Sequence, residues 1–538
     1  MSTLPEVLSG TVEKFPHKTA FTFIDRSFTY REYDALSNRI ARALILRGLM
    51  PGDRVAIHLP NLPQYLVFMM GALKAGCIIS GLSPLATERE VEFQLRDLGA
   101  AAVISFDDVY KNVQKFLPVL KSLKVAIVTR PLDLMPLPIQ FFGRILGKVP
   151  HPDLQLSDPR EIWFDDFLRL GSDAPCRIER LPSDTAAIQY TGGTTGRSKG
   201  AMLSHANLLA NIDQSIAVTH PETGHETGLS ILPFFHIAGL TAALNTIVIG
   251  GAWLLIPNPR DLAFIVRQLK KYRPSLIFAV PLLYEKLLLR EEFRRLDFKQ
   301  LKFAMSGAAP MSDTLKEKLE TVIRVPVLEG YGMTEASPGI TVNYPGKVKA
   351  GTVGQALPGT DVKILSLEGD RELVAGEEGQ LIVSGPQVMQ GYWNNPEENA
   401  AVLEKREGKT WLKTGDVARI DEQGYITIVD RVKDMVNVGG YKVFSVEIEA
   451  VLREHPAIAV AAILAEKNPN EATETVRLIA ELKPVYRAEN HATLKDDILR
   501  YAREKLAAYK VPRLIDFIGA VPLTPIGKVD KKALRAML

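Results

Sequence analysis

The chain has 538 residues and a formal net charge of +3, from 65 Lys and Arg against 62 Asp and Glu. Hydrophobic residues make up 46% and charged residues 24%, which excludes a largely disordered chain. The balanced charge excludes a dedicated nucleic-acid-binding protein, and a content of 2 cysteines excludes a disulfide scaffold. This length exceeds what one hydrophobic core can organise, so we expect at least two domains.

The N-terminal sequence MSTLPEVLSGTVEKFP lacks a basic segment followed by an apolar stretch, so we expect a cytoplasmic protein without a secretory signal. Residues 228–257 carry no charged side chain and are long enough for a membrane span. Proline and glycine residues divide them, which favours a buried strand, helix and strand instead. The apolar and basic stretch PIQFFGRILGK at 138–148 leaves peripheral membrane contact open, although a packed helix is the simpler interpretation.

The first half of the chain alternates short apolar strands with helical patterns, as in Val55–Leu59, Gln64–Ala75 and Cys77–Ser80. This alternation predicts an α/β fold: a large N-terminal domain with two mostly parallel sheets covered by helices. From about Gly351 onward, short strands with glycine-rich turns predict a smaller antiparallel β subdomain.

A charged junction, DRVKD at 430–434, separates a predicted strand from a C-terminal unit with an α+β pattern. We predict a large N-terminal domain at 1–429, a hinge at 430–434, and a small mobile C-terminal domain at 435–538. An ordinary surface turn would explain the junction equally well.

The strongest motif is YTGGTTGRSKG at 190–200, which directly follows an apolar strand. Its glycines allow consecutive backbone N–H groups to point inward, its hydroxyl side chains add donors, and Arg197 and Lys199 add positive charge. These features predict a loop that binds a polyphosphate, whereas a flexible hairpin would explain the cations poorly. The motif differs from the common P-loop, because Arg197 stands where that pattern requires lysine.

Three further motifs are weak individually but suit the same ligand. In EGYGMTE at 329–335, Tyr331 offers a flat face for a purine, and Glu335 is an oxygen ligand suited to Mg²⁺ beside phosphates. In TGD at 414–416, Asp416 can accept hydrogen bonds from both hydroxyls of a ribose. In PLTPIGKVDK at 522–531, Lys528 follows proline and glycine and is expected to be held by a turn, whereas Lys531 and Lys532 are expected to be solvated.

Together these motifs resemble the adenylate-forming superfamily, which includes acyl-CoA synthetases, coumarate-CoA ligases, firefly-type luciferases and peptide-synthetase adenylation domains. The segments YTGGTTGRSKGAMLSH, LPFFHIAGL, MSGAAPM with EGYGMTEASP, TGDVARIDEQGYITIVDRVKDMVNVGGYKVFSVEIE and PLTPIGKVDKKAL occur in the family's order. The resemblance is strongest to fatty acyl-CoA ligases. It implies an AMP-forming acid–thiol ligase that uses ATP, Mg²⁺ and CoA. It also implies that 1–429 is an adenylation domain that binds the acyl group and ATP, and that 435–538 is its mobile lid domain.

The resemblance also implies roles for individual residues. It implies a catalytic set formed by Lys528, Glu335, Thr194 and His236, with Glu335 holding the metal. The implied cofactor-binding residues are Thr191, Gly192, Gly193, Thr194, Thr195, Gly196, Lys199, Gly307, Ala308, Ala309, Gly330, Tyr331, Gly332, Thr334, Asp416, Arg431, Lys433, Gly439, Gly440 and Tyr441. Within this set, Lys433 occupies the hinge position, and 439–441 would line the pantetheine tunnel of CoA. For His236 a core position and a pocket wall both fit the sequence, and its motif position favours the pocket.

The substrate is less sharply indicated. A pocket lined by small residues such as Gly330, Ala336 and Gly339 would admit a chain or a ring. Leu240 stands where some long-chain relatives carry a gating tryptophan, and Ser445 where many relatives carry proline. Medium- to long-chain fatty acids are the expected substrates. Aromatic or alicyclic acids, and transfer from acyl-AMP to a carrier protein or an amine, remain alternatives, and a homodimer is left open.

Overall fold

The computed structural model describes residues 2–136, 138–140, 154–191, 198–307, 309–439, 441–467, 474–524 and 528–538. The predicted residues 192–196, Ala308 and Gly440, and the end of the PIQFFGRILGK stretch, lie outside the described residues.

The strands follow the apolar runs of the sequence closely. In chain order they are β1 Thr19–Phe23, β2 Arg26–Thr29, β3 Arg54–His58, β4 Ile78–Gly81, β5 Ala102–Phe106, β6 Val125–Thr129, β7 Glu161–Trp163, β8 Thr185–Thr191, β9 Lys199–Ser204, β10 Thr227–Ser230, β11 Ala252–Leu255, β12 Leu276–Ala279, β13 Phe303–Ser306, β14 Val327–Gly332, β15 Gly339–Val342, β16 Gln355–Ala356, β17 Asp361–Leu365, β18 Gly379–Ser384, β19 Gly391–Tyr392, β20 Leu403–Arg406, β21 Lys409–Ile420, β22 Ile426–Arg431, β23 Val436–Val438, β24 Tyr441–Val443, β25 Ile458–Lys467, β26 Glu474–Leu482 and β27 Leu514–Ile518.

The helices alternate with these strands through most of the chain. They are α1 Leu4–Lys14, α2 Tyr30–Leu46, α3 Pro63–Lys74, α4 Glu88–Leu98, α5 Lys111–Gln114, α6 Phe164–Leu170, α7 His205–Thr219, α8 Ile237–Val248, α9 Leu262–Tyr272, α10 Pro281–Leu288, α11 Glu291–Arg294, α12 Asp313–Ile323, α13 Pro396–Val402, α14 Ser445–Arg453, α15 His491–Lys505 and α16 Lys531–Met537. Capping boxes begin several of them; at α2, for example, Thr29 accepts from the Glu32 backbone and the Glu32 carboxylate accepts from Thr29.

Two large sheets form the N-terminal domain. Among the described residues, one has the order β19-β9-β8-β4-β3-β5-β6-β7 and the other β16-β15-β14-β13-β12-β10-β11-β1-β2. Their central pairs are parallel, for example β3 with β4 and β12 with β13. Antiparallel pairs form the β19 edge of the first sheet and both edges of the second, whereas β7 is a parallel edge strand. Helix α3 is buried along its whole length in the shared core. The predicted pair of mostly parallel, helix-covered sheets is confirmed.

The segment 228–257 folds as β10, α8 and β11 inside the second sheet, as its proline and glycine residues predicted. After it, β17, β18, β20, β21 and β22 form the predicted antiparallel subdomain.

The C-terminal unit has its own core, formed by α14, α15 and the sheet β25-β26-β27. The preceding β23–β24 hairpin packs against that core through Val436 and Val443. The predicted small α+β domain is thereby confirmed, and it follows directly on β22.

Candidate active site

One cleft of about 2340 Å³ contains most of the predicted site residues. Both the N-terminal domain and the C-terminal unit contribute to its walls. The predicted residues that line it are Thr191, Lys199, His236, Gly307, Ala309, Gly330, Tyr331, Gly332, Thr334, Glu335, Asp416, Arg431, Lys433 and Lys528. The strand ends at Gly307 and Tyr331 place the cleft at the carboxyl edge of the second sheet, where α/β proteins commonly bind ligands.

The two ends of the predicted phosphate loop are fixed by the β8–β9 pair. Thr191 and Lys199 are paired across the ladder, and the Ser198 hydroxyl donates to the carbonyl of Thr191. The Lys199 ammonium lies 2.6 Å from a Glu398 oxygen and 5.4 Å from the centre of the Tyr392 ring. A bound polyphosphate would therefore compete with Glu398 for the charge of Lys199.

Glu335 is the buried carboxylate of the cleft. It is 6% exposed, and its Oε1 accepts a hydrogen bond of 2.6 Å from the Tyr392 hydroxyl. Burial raises the pKa of Glu335, while the Tyr392 hydrogen bond opposes that shift. Tyr392 was missed from the sequence, because nothing in the GYW segment signals a contact with a residue 57 positions earlier.

The predicted purine and ribose residues meet directly. The Tyr331 hydroxyl donates to Oδ2 of Asp416, and Arg431 Nε lies 3.1 Å from Oδ1 of the same carboxylate. Asp416 and Arg431 are register partners on β21 and β22, so the sheet itself sets this ion pair. At Gly332 a Cβ would lie 2.1 Å from the carbonyl oxygen of Pro338, so this turn requires glycine.

Lys528 reaches the cleft from a tight hairpin, as predicted. The Thr524 N–H donates to the Lys528 carbonyl at 2.7 Å, and the Lys528 N–H donates to the Thr524 hydroxyl at 3.1 Å. Burial, followed by the nearby charge of Arg431, lowers the pKa of Lys528 to about 8. Burial and Arg431 also lower the pKa of Lys433 to about 8.

His236 caps helix α8, since its Nδ1 accepts from the Ala238 N–H at 3.3 Å. Burial and the charge of Lys528 lower the pKa of His236 to about 4, so the imidazole is neutral at pH 7. With Nδ1 accepting, the proton is assigned to Nε2. His236 therefore caps a helix and also lies on the cleft wall. The sequence left a core position and a pocket wall open for it, and both descriptions apply.

Of the residues predicted for the CoA tunnel, the described Gly439 and Tyr441 do not line this cleft. Tyr441 is 60% exposed and stacks on Tyr509 with ring centres 4.7 Å apart. Gly439 precedes it in a left-handed turn with open space around its α-carbon. Lys528 therefore lines the cleft, while Gly439 and Tyr441 lie elsewhere on the C-terminal unit.

Two sequence expectations are wrong in detail. Lys531 is not solvated: its ammonium lies 2.8 Å from Glu449 and donates to the Ser445 hydroxyl at 2.7 Å. Ala336 is fully buried and does not line the cleft, whereas Gly330 and Gly339 do. The sequence left a hinge and an ordinary surface turn open for 430–434, and the burial of both aspartates there disfavours the surface turn.

A deep arm of the cleft runs between α7, α8 and the second sheet. Helix α8 contributes Ala238, Thr241, Ala242 and Asn245, followed by Ile249, at the spacing of one helix face. Helix α7 contributes Asn211, Ser215, Val218 and Thr219 in the same way. The wall formed by α7 was missed, because small and polar side chains at this spacing usually indicate only a half-buried helix.

The sheet closes the inner side of this arm. Trp253, Gly228, Leu276 and Phe303 are neighbours across four strands. A Cβ at Gly228 would lie 2.6 Å from the Trp253 ring, so the glycine lets the indole lie flat against the sheet. The arm therefore extends from His236 along α8, with small and polar side chains on its helical walls and the apolar side chains Trp253, Leu276 and Phe303 on its sheet wall.

No helix within the described ranges is long and apolar enough to cross a membrane. No group of three or more His, Cys, Asp or Glu side chains among the described residues is arranged to hold a metal ion.

Comparisons with known proteins agree with the geometry. The family model described as "AMP-binding enzyme" matches residues 8–393, and "AMP-binding enzyme C-terminal domain" matches residues 447–528. The long-chain-fatty-acid–CoA ligase of Bacillus subtilis (strain 168) is 36% identical over 549 aligned residues, covering 99% of this chain and 94% of that protein.

Solved structures of one protein in two states extend the comparison. ATP-bound MatB from Rhodopseudomonas palustris superposes with a TM-score of 0.84 at 27% identity, with 100% of this chain and 99% of that one covered. Apo MatB from the same organism, with the same identity and coverage, gives 0.73. In overall arrangement this structure is nearer the ATP-bound form. From its motifs, its fold and these matches, the chain belongs to the AMP-binding enzyme family.

Proposed function

We propose that this protein is an AMP-forming fatty-acid–CoA ligase with long-chain acids as its main substrates. In the first step a carboxylate oxygen of the acid attacks the α-phosphorus of ATP, the α–β anhydride bond breaks, and pyrophosphate leaves. In the second step the CoA thiol attacks the acyl-AMP carbonyl, the bond to AMP breaks, and the thiol proton passes to solvent. The observation that carries the proposal is that Lys528, Asp416, Arg431 and Glu335 line the same cleft.

The positively charged groups of the cleft suit the first step. Two anions, the carboxylate and the triphosphate, must approach each other, so catalysis depends on fixed positive charge where negative charge develops. Lys528 supplies such a charge from a defined hairpin, and Arg431 lies close enough to shift its pKa. The neutral His236 presents its Nε2–H to the same space and can donate to an oxygen of the acid.

The ribose and adenine would lie between Tyr331 and the Asp416–Arg431 pair. Asp416 is already fixed by Tyr331 and Arg431, so it can accept from the ribose without rearrangement. The phosphates would then extend toward Lys199 and the 192–197 loop.

Glu335 fits a magnesium site of the kind that ATP-dependent enzymes use. Mg²⁺ commonly binds through one or two protein carboxylates together with substrate phosphates, so a single buried carboxylate suffices. When bound, the ion would neutralise phosphate charge and make pyrophosphate a better leaving group. The Tyr392 hydrogen bond would hold the Glu335 carboxylate in place for this role.

The arm along α8 supports long acyl chains. The 11 steps from Ala238 to Ile249 correspond to about 16 Å at a helical rise of 1.5 Å per residue. That length is close to one leaflet of a bilayer, half of a hydrocarbon core of about 30 Å. The B. subtilis relative, named for long-chain fatty acids, supports the same substrate class. Medium-chain, aromatic and alicyclic acids are shorter than this arm and are second candidates.

The second step requires a different face of the C-terminal unit. We propose that the unit 435–538 turns about 430–434, so that Lys528 leaves and the 439–441 turn brings CoA to the acyl-AMP. The exposed position of Tyr441 and the presence of Lys528 in the cleft support this alternation. On this proposal the structure represents the adenylate-forming arrangement, in line with its similarity to an ATP-bound relative.

An ATP–pyrophosphate exchange screen tests the function. Octanoate, palmitate, benzoate and cyclohexanecarboxylate are compared as the acid, and AMP release is then measured with and without CoA. We expect the highest exchange with palmitate and AMP release that depends on CoA. Exchange with benzoate alone would show that aromatic acids, and not fatty acids, are the substrates. AMP release only with an amine or a carrier protein would show that the acyl acceptor is not CoA. No exchange with any acid would refute the proposal.

A further inference from the structure

The C-terminal helix α16 begins three residues after Lys528, so the position of this helix determines where the lysine can reach. The hairpin that carries Lys528 is closed by an antiparallel bridge from Leu523 to Val529 and by the Asp530 N–H, which donates to the Pro522 carbonyl at 2.8 Å. Leu534 of α16 packs in a small core against β25 and β26. Whatever anchors α16 therefore also fixes Lys528.

A buried polar cluster provides one such anchor. Lys531 of α16 donates to the Ser445 hydroxyl at 2.7 Å and pairs with Glu449 at 2.8 Å. Ser445 in turn donates to Asp430 twice, from its backbone N–H and, at 3.0 Å, from its hydroxyl. We call Asp430, Ser445, Glu449 and Lys531 the Asp430 cluster.

Every member of this cluster is shielded from solvent. Asp430 is 2% exposed and Ser445 is fully buried, while the Lys531 and Glu449 side chains are 13% and 12% exposed. Charged groups in such surroundings are stabilised only while their partners stay in place, because an unpaired buried charge is costly. We therefore expect the ion pair and the hydrogen bonds of the Asp430 cluster to form and break together.

The cluster also spans the proposed hinge. Asp430, the first hinge residue, is held on β22 by its pairing with Val417 of β21, whereas Ser445 and Lys531 lie beyond the hinge in the C-terminal unit. Arg535 of the same helix pairs at 2.7 Å with Asp434, the last hinge residue. A rotation about 430–434 would move Ser445 and Lys531 away from Asp430.

We infer that Ser445 and Lys531 are positioning residues that hold Lys528 in the cleft and latch the C-terminal unit in the adenylate-forming arrangement. Ser445 is fully buried and is not part of the cleft wall, and Lys531, which lies at the wall, directs its ammonium to Ser445 and Glu449. This inference rests on the proposed function and on the proposed hinge. It assigns to Ser445 a task that proline could not perform, because proline has no N–H to donate to Asp430.

The latch predicts opposite effects on the two half-reactions. Loosening it moves Lys528 away from the α-phosphate, and a misplacement of about 1 Å at a catalytic group can cost about 100-fold in rate. The second half-reaction begins from acyl-AMP and needs the other orientation, so it should be unchanged or faster. A merely structural role would lower both half-reactions together.

The test compares Lys531→Met, Ser445→Ala and Lys531→Arg with Arg477→Met as the matched control. Arg477 pairs with Glu466 and Asp516 within the C-terminal sheet and makes no contact across the hinge among the described residues. Adenylation is measured by pyrophosphate exchange, and thioester formation is measured from supplied acyl-AMP and CoA. We expect Lys531→Met to lower exchange at least tenfold while keeping thioester formation, Ser445→Ala to do so more weakly, and Lys531→Arg to retain most of the exchange.

A second measurement does not depend on activity. Trypsin cleavage after Arg431 or Lys433 reports opening of the hinge, and it should be several-fold faster in Lys531→Met than in the wild type or in Arg477→Met. Equal loss of both half-reactions, or cleavage as slow as in the wild type, would overturn the latch. Failure of the proposed function is separate, because it would show as absent exchange in the wild-type protein whatever the cleavage rates.

Discussion

Replacing Lys528 with alanine should separate the two half-reactions. Lys528 lines the cleft together with Asp416 and Arg431. Two hydrogen bonds hold its backbone to Thr524, one from the Thr524 N–H and one to the Thr524 hydroxyl. Removing one preorganised group that stabilises developing charge typically costs about 2.7–4 kcal/mol, or about 100- to 1000-fold in rate. We expect a loss of this size in fatty-acid-dependent pyrophosphate exchange.

The second half-reaction provides the contrast. Thioester formation from supplied acyl-AMP and CoA should stay within a few-fold of the wild type, because Lys528 has no charge to stabilise in that step. Lys505→Ala, which removes an exposed lysine of the same domain, controls for general effects. Equal loss of both half-reactions, or exchange that survives the substitution, would refute the assignment of Lys528.

Three further predictions concern the rest of the cleft. Adenylation kcat/KM should fall as pH rises above about 8, because Lys528 then loses its proton. Lys528→Arg should move this fall to higher pH, whereas the control Lys433→Arg should leave it unchanged. Ala242→Trp should block palmitate but spare octanoate in pyrophosphate exchange, since the indole would fill the arm along α8; equal loss with both acids would contradict the placement of the chain. Glu335→Gln should raise the Mg²⁺ concentration needed for half-maximal exchange. An unchanged Mg²⁺ dependence would show that Glu335 does not hold the metal.

The strands and the family could be predicted because their signals are local. Runs such as VAIVT are continuous apolar segments between turn residues, and the structure places a strand at Val125–Thr129. The motifs around Tyr331, Asp416 and Lys528 are also local, and their order along the chain indicated one nucleotide site. The family prediction is confirmed by matches that span nearly the whole chain.

The errors concern contacts between residues that are distant in sequence. Lys531 looks like a solvated tail residue until Ser445, 86 positions earlier, is brought beside it. Tyr392, which holds Glu335, lies in a segment without any motif. The orientation of the C-terminal unit is likewise set by packing rather than by local pattern, so the sequence could not indicate whether Lys528 or Tyr441 would face the cleft.

A crystal structure with a non-reactive palmitoyl-adenylate analogue would test the shared cleft most directly. We predict the ribose hydroxyls against Asp416, the phosphate between Lys528 and the 191–200 turn, and the acyl chain along α8 toward Ile249. An analogue bound elsewhere, or bound here with the Lys528 side chain turned away and no contact from that turn, would contradict the account.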